Sequence, residues 1–229
     1  MFPCRAVVTS SSAADLGEKK MMKSLIVSTV FAAAACAAWA DTSKTYDFFG
    51  FDELDISAGV EVKYETADSY SVIADFQRGG PEDMKIRQDG GRLYISRKMK
   101  SGWGNNLSVT VRVTSPELNA VEASSGSSID ATGIDAEGFS LNVSSGASAE
   151  LSGTCNALVL RVSSGGNADA KDLHCHRLIA KASSGGSATA YATESATGKT
   201  SSGGSIDIWG DPPDRTSNHS ISGGSTDFH

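Results

Sequence analysis

The sequence predicts an all-β protein, a parallel β-helix (β-solenoid) with coils of about 20 residues. Three observations carry that expectation. A Ser-Ser-Gly phrase recurs at Ser124-Ser125-Gly126, Ser144-Ser145-Gly146, Ser163-Ser164-Gly165, Ser183-Ser184-Gly185 and Ser201-Ser202-Gly203, with a degraded copy at Ile221-Ser222-Gly223. Successive glycines of the phrase lie 20, 19, 20, 18 and 20 residues apart. Such a fixed period marks units that bury their apolar faces by stacking on their neighbours. Around each phrase, apolar and polar residues alternate with period two, as in a strand with one buried face.

Residues 1–40 stand outside that pattern. Met21-Met22-Lys23 is a short basic start, Leu25 to Ala38 is an alanine-rich apolar run, and Ala38-Trp39-Ala40 supplies small residues for a signal peptidase. The expectation is a signal peptide cleaved before Asp41, preceded by a 20-residue extension upstream of the true start. The alternative is a lipoprotein signal on Cys36, although Ala33 stands where the usual motif has leucine. The apolar run is too short to span a membrane, and no membrane span is expected in the mature chain.

Residues 41–229 are expected to form a single solenoid domain. Its first part, 41–120, reads as less regular coils or a cap. Alternating runs occur at Leu54–Ile56, Val60–Tyr64, Ser71–Ile73, Met84–Ile86, Leu93–Ile95 and Leu107–Val113, with turn signals at Gly79-Gly80-Pro81 and Asp89-Gly90-Gly91. Most aromatic residues lie here, and the loop Met99–Asn106 with Trp103 is a candidate exposed contact.

Residues 121–229 hold the repeat coils. Counted from each glycine, the third and fifth positions are inward: Ile129, Ala149, Ala168, Ala188, Ile206 and Thr226, then Ala131, Leu151, Ala170, Ala190, Ile208 and Phe228. A second inward run precedes each phrase, as in Phe139, Leu141, Val143 and Leu158, Leu160, Val162. Glycine at the corner fits a left-handed backbone that other residues adopt only at a cost. The last coil, with Asp211-Pro212-Pro213-Asp214 and polar Thr216, Asn218 and Ser220, reads as a cap guarding an exposed sheet edge.

The layout resembles one bacterial family, the putative autotransporter adhesin, head GIN domain proteins. The resemblance rests on the opening Phe51-Asp-Glu-Leu-Asp-Ile-Ser-Ala-Gly-Val-Glu-Val and on Gly91-Arg92-Leu93-Tyr94-Ile95. It continues through Val111-Arg-Val-Thr-Ser-Pro-Glu-Leu118 and the iterated Ser-Ser-Gly phrases, covering roughly residues 47–228. It implies a right-handed parallel β-helix exported from the cytoplasm, to the periplasm or the cell surface. It brings no catalytic residues with it.

Four features bear on chemistry. Cys155 and Cys175 each sit ten residues before a repeat glycine, which places them in one column on adjacent coils within disulfide reach. His174 and His176 flank Cys175, but no carboxylate is spaced to complete a metal set, and solvated turn histidines are the plainer account. The fourth position after each glycine holds Asp130, Glu150, Asp169, Thr189, Asp207 and Asp227. A solvated face explains that column, with calcium bridging of adjacent carboxylates as the functional alternative and no other cofactor in view. Arg161, Lys171, Arg177, Lys181 and Lys199 read as scattered among other columns.

Residues 41–229 carry 16 basic and 25 acidic residues, a net charge of −9. That argues against nucleic acid or anionic lipid as a partner. The expected function is a non-catalytic, exported adhesion or scaffolding protein presenting a stiff Ser/Gly/Asp-rich face to a cell-surface glycan or protein. The alternative is a polysaccharide-active enzyme on a β-helix scaffold, which would need carboxylates or basic residues grouped in a groove. Intact-mass measurement of the exported protein should place Asp41 at its N-terminus. A product that retains residues 1–20 would contradict this reading, and one diacylated at Cys36 would establish the lipoprotein alternative.

Overall fold

Every repeat turns a corner at its Ser-Ser-Gly phrase, and the geometry of that corner organises the chain. The computed structural model describes residues 42–98, 107–219 and 223–229. The expected signal peptide and cleavage site before Asp41, the loop Met99–Asn106 with Trp103, and Ser220, Ile221 and Ser222 lie outside those residues. In each of the five full phrases the middle serine and the glycine both take positive φ, for example Ser125 54° and Gly126 70°, Ser145 53° and Gly146 72°, Ser164 52° and Gly165 71°. The four-residue turn closes on itself, for example by the Gly166 N–H donating to the Ser163 carbonyl at 3.0 Å. Positive φ at both central positions is the backbone of a type I′ turn. The sequence reading assigned the left-handed conformation to the glycine alone; the preceding serine shares it.

The turns also bond to one another. The Gly126 N–H donates to the Ser145 carbonyl (3.1 Å), Gly146 to Ser164 (3.2 Å), Gly165 to Ser184 (3.1 Å) and Gly185 to Ser202 (3.2 Å). A non-glycine residue in the left-handed region costs roughly 1–2 kcal/mol. Two backbone hydrogen bonds per turn, at a net ~0.5–1.5 kcal/mol each, are of the size needed to offset it.

Among the described residues fifteen strands form one sheet wound as a β-solenoid of about five turns. The repeat coils are the long, bent strands β9 (Ser128–Val143), β10 (Ser148–Val162), β11 (Asn167–Ala182) and β12 (Ser187–Thr200), followed by β13 (Gly204–Trp209), β14 (Asp214–His219) and β15 (Gly224–Phe228). All pair in parallel, with Ala149 beside Ile129 and Ala168, and Leu160 beside Leu141 and Ala180. Each long strand makes two faces: a first limb after the glycine and a second limb before the next phrase. The expected inward columns are buried as far as Ile208, with Thr226 and Phe228 of the last coil half-buried, and the residues that fill them change along the stack. Phe139, Leu141 and Leu158 fill the early coils, Ala180, Ala182, Ala188, Ala190, Ala192 and Ala196 fill much of β11 and β12, and Ile206 and Ile208 fill β13.

The variation in repeat length is absorbed away from the Ser-Ser-Gly corner. Between β11 and β12 the register shifts from Ala170–Ala190 to His174–Tyr191, so Lys171, Asp172 and Leu173 bulge at the second corner. The phrase corner stays in register, and the 18-residue repeat still stacks.

The first part of the chain holds β1 (Thr42–Tyr46), β2 (Glu53–Ile56), β3 (Glu61–Thr66), β4 (Ser71–Arg78), β5 (Met84–Asp89), β6 (Arg92–Arg97), β7 (Ser108–Ser115) and β8 (Ala120–Ala123). Strands β2 to β7 cover the six alternating runs. Two differences from the expectation stand out. First, Ser57-Ala58-Gly59 is a further copy of the corner, with φ of 62° at Ala58 and 70° at Gly59; alanine in place of serine hid it. Second, stacking order departs from chain order. Strand β3 lies between β7 and β9, and β2 lies between β6 and β8, all in parallel. The coil β2–β3 is thus inserted between β6–β7 and the repeats, while β4 and β1 on one side and β5 on the other pair antiparallel. Tyr64 anchors this junction: it is buried, and its hydroxyl bonds with Ser115 Oγ at 3.0 Å.

Gly165→Ala tests the corner. A Cβ there meets nothing within 4 Å, so only the φ of +71° opposes it. Urea unfolding should show a loss of about 1 kcal/mol, whereas Ser164→Gly should cost nothing measurable. Equal behaviour of the two variants would contradict the assigned turn.

Candidate functional site

Outward side chains of a parallel stack fall into columns along its axis, and four such groups carry the chemistry of this surface. The first is the acidic column on the first limbs. Asp130 pairs with Glu150, Glu150 with Asp169, Asp169 with Thr189, Thr189 with Asp207 and Asp207 with Asp227. Lys63 of β3 continues it beside Asp130. Two members have local partners: Asp169 Oδ1 accepts the Lys171 N–H at 3.1 Å, and His229 Nε2 lies 3.1 Å from Asp207 Oδ1. Among the described residues no three His, Cys, Asp or Glu side chains gather closely enough to hold a metal ion. The column is a row of neighbours on an open face.

The second group surrounds the other corner. Cys155 and Cys175 are register partners joined by a disulfide, with Cα atoms 4.5 Å apart. Both are buried. On one side of them runs the column Asp135–Thr154–His174–Tyr191–Trp209; on the other stand Glu137, Asn156, His176 and Thr193. All of these but Trp209 line an open trough of about 670 Å³ with the disulfide in its floor. Thr154 donates to Asp135 (3.2 Å), Asn156 donates to Glu137 (3.1 Å), and His176 Nδ1 shares a hydrogen bond with Thr193 (3.2 Å). His174 stacks on Tyr191 with ring centroids 4.3 Å apart, and Trp209 is covered by His229 (4.5 Å) and by the Lys171 ammonium (3.6 Å). The two histidines therefore have polar and aromatic partners, while Cys175 is committed to sulfur.

The third group corrects the reading of the basic residues as scattered. Arg161, Lys181 and Lys199 are direct register partners on the second limbs of β10, β11 and β12. All three are exposed. Each stands four residues before a repeat glycine, a spacing that counting forward from the glycine does not reveal. On one side of this column lie Val159, Ile179 and Thr197, with Ile179 47% exposed; on the other lie Ser163, Ser183 and Ser201. Lys171 and Arg177 do stand elsewhere, Arg177 beside Ala157 and Ser195.

The fourth group occupies the same limb in the early coils, where the charges are mixed. Arg92 bonds Glu53 at 2.7 Å and lies 3.6 Å from Glu122, and Arg87 covers the Tyr94 ring at 3.6 Å. Asp55 stands between Tyr94 and Glu122. Burial pushes its carboxyl above the ordinary range, Glu122 adds to the rise, and Arg92 and Arg87 oppose it.

A family model described as "Putative auto-transporter adhesin, head GIN domain" matches residues 50–212. No curated protein matches the chain. Among solved structures, a protein described as a putative adhesin from Bacteroides fragilis NCTC 9343 aligns with 82% of this chain and 95% of its own. The TM-score is 0.64 at 17% identity. A protein described as a putative lipid binding protein from Parabacteroides distasonis ATCC 8503 covers 82% and 96%, with TM-score 0.48 and 18% identity. A putative adhesin from Parabacteroides merdae ATCC 43184 covers 82% and 95%, with TM-score 0.47 and 12% identity. At 17% identity the likeness to the Bacteroides fragilis protein is one of fold.

Non-reducing peptide mapping of the exported protein should recover Cys155 linked to Cys175. Cys155→Ser should lower stability by roughly 3 kcal/mol, the chain-entropy value for a loop of about 20 residues. Two freely alkylated thiols in the folded, unreduced protein would contradict the pairing.

Proposed function

This chain belongs to the putative auto-transporter adhesin, head GIN domain family, and from that premise we propose that it is a non-catalytic, exported adhesion or scaffolding protein. It works by presenting the long faces of a rigid solenoid to a glycan or protein of the cell envelope. The observation that carries this reading is the form of the polar surface. Hydrogen-bonding side chains come as open columns along the axis, and the concavity beside the Cys155–Cys175 bridge is itself a trough lined by carboxylate, amide, imidazole and phenol groups. Rows of that kind offer repeated contacts to an extended partner and do not surround a single reacting bond.

The family points to a protein that is exported or on the surface. No helix among the described residues is long and apolar enough to cross a membrane. The polysaccharide-active alternative has one supporting observation, the raised carboxyl of Asp55 beside Glu122. Arg92 ties Glu122 and Glu53 into ion pairs there, which favours a structural role.

Glycan-array binding with the purified mature protein tests the proposal, followed by chromatography of each bound glycan after long incubation. Binding with every glycan recovered intact is the expected result. Release of shorter products, abolished by Asp55→Asn or Glu122→Gln, would overturn the non-catalytic reading.

A further inference from the structure

The basic column on β10, β11 and β12 has no use in the architecture. Arg161, Lys181 and Lys199 stand directly opposite one another, and like charges in that position destabilise a sheet. Among the described residues none of the three makes an ion pair or a hydrogen bond to a side chain. They also run against the composition, since the whole chain carries a net charge of −7. A row of three unpaired cations on an acidic protein is a surface awaiting an anion.

We propose that this face binds an acidic polysaccharide, its carboxylate or sulfate groups on Arg161, Lys181 and Lys199. The inference rests on the adhesion reading above and names the ligand class for it. The geometry favours a linear polyanion. The cations repeat at the strand spacing of about 4.8 Å, so a chain lying along the solenoid axis meets one on each coil. The two flanking columns supply the other contacts a sugar ring needs. Val159 and exposed Ile179 offer an apolar strip to its C–H face, and Thr197, Ser183 and Ser201 offer hydroxyls to its own hydroxyl groups. Asn142, the next member of the cationic column, adds an amide. An anionic membrane is the weaker fit. Stable anchoring on lipid needs a substantial buried apolar face or a larger basic cluster, and here one well-exposed aliphatic side chain accompanies three cations.

The test uses the full mature protein over immobilised polygalacturonate and heparin, with neutral dextran and phosphatidylglycerol vesicles as the other surfaces. Wild type should bind the two acidic polysaccharides, with affinity falling as NaCl rises. The triple variant R161Q/K181Q/K199Q should bind them about tenfold more weakly, with a melting temperature no lower than wild type because a like-charge row has been removed. The control K44Q/K63Q/K85Q, with the same change in net charge on other coils, should stay within about twofold. Equal loss in both triples would overturn the proposal by tracing binding to overall charge. Binding to vesicles alone, lost in the first triple, would overturn it in favour of a membrane surface. Binding to neutral glycans but not acidic ones would sink this inference while leaving the adhesion reading intact. Binding to no glycan in this set or on the array would remove the glycan arm of both.

Discussion

The constraint on which the repeat coils depend is the hydrogen bond from the glycine N–H of four successive corners, Gly126, Gly146, Gly165 and Gly185, to the middle serine's carbonyl on the next coil. It forms only if both residues adopt positive φ, and that conformation holds the serine and glycine outward while the flanking backbone returns to the sheet. Because the bond joins adjacent coils at one fixed residue, it locks their register. A slip of one residue would turn every inward alanine, leucine and isoleucine to solvent. Repeats of 18, 19 and 20 residues coexist because the surplus is taken up at the opposite corner, by bulges such as Lys171-Asp172-Leu173.

Locked register turns a one-dimensional pattern into surface chemistry. It places Cys155 over Cys175, lines up the carboxylates from Asp130 to Asp227, and sets Arg161, Lys181 and Lys199 in a row. The two charged rows lie on different limbs of the same coils, one just after the phrase and one just before it. A repulsive row tolerated in solvated surroundings costs little per pair, so neither row threatens a fold whose columns of buried Leu, Ile, Val and Ala run the length of the stack.

The repeat half was legible in the sequence because its signal is local. Period-two alternation, the recurring glycine and the matched positions of the two cysteines each follow from counting along the chain. Two things were not legible there. The corner at Ser57-Ala58-Gly59 lacks the serine that marks its relatives, and only the backbone angles of Ala58 and Gly59 identify it. The insertion of β2–β3 between β6–β7 and β8–β9 is a non-local pairing choice that no spacing encodes. The basic column was legible but lay in the limb before the phrase. Counting forward from each glycine through coils of unequal length moves Arg161, Lys181 and Lys199 out of line, and counting backward restores them. Tyr191 joined His174 only after the register shift of the shortest coil.

Register across coils is the claim from which the rest follows, and engineered cross-linking reads it directly. Strands paired at about 4.8 Å lie within the Cα range a disulfide can bridge. Mild oxidation of the folded Arg161→Cys/Lys181→Cys protein should yield the cross-link between these positions, while Arg161→Cys/Ser183→Cys, displaced by two residues on the same face, should not close. Efficient closure of the displaced pair with failure of the matched pair would contradict the stacking, and with it the assignment of every column described above.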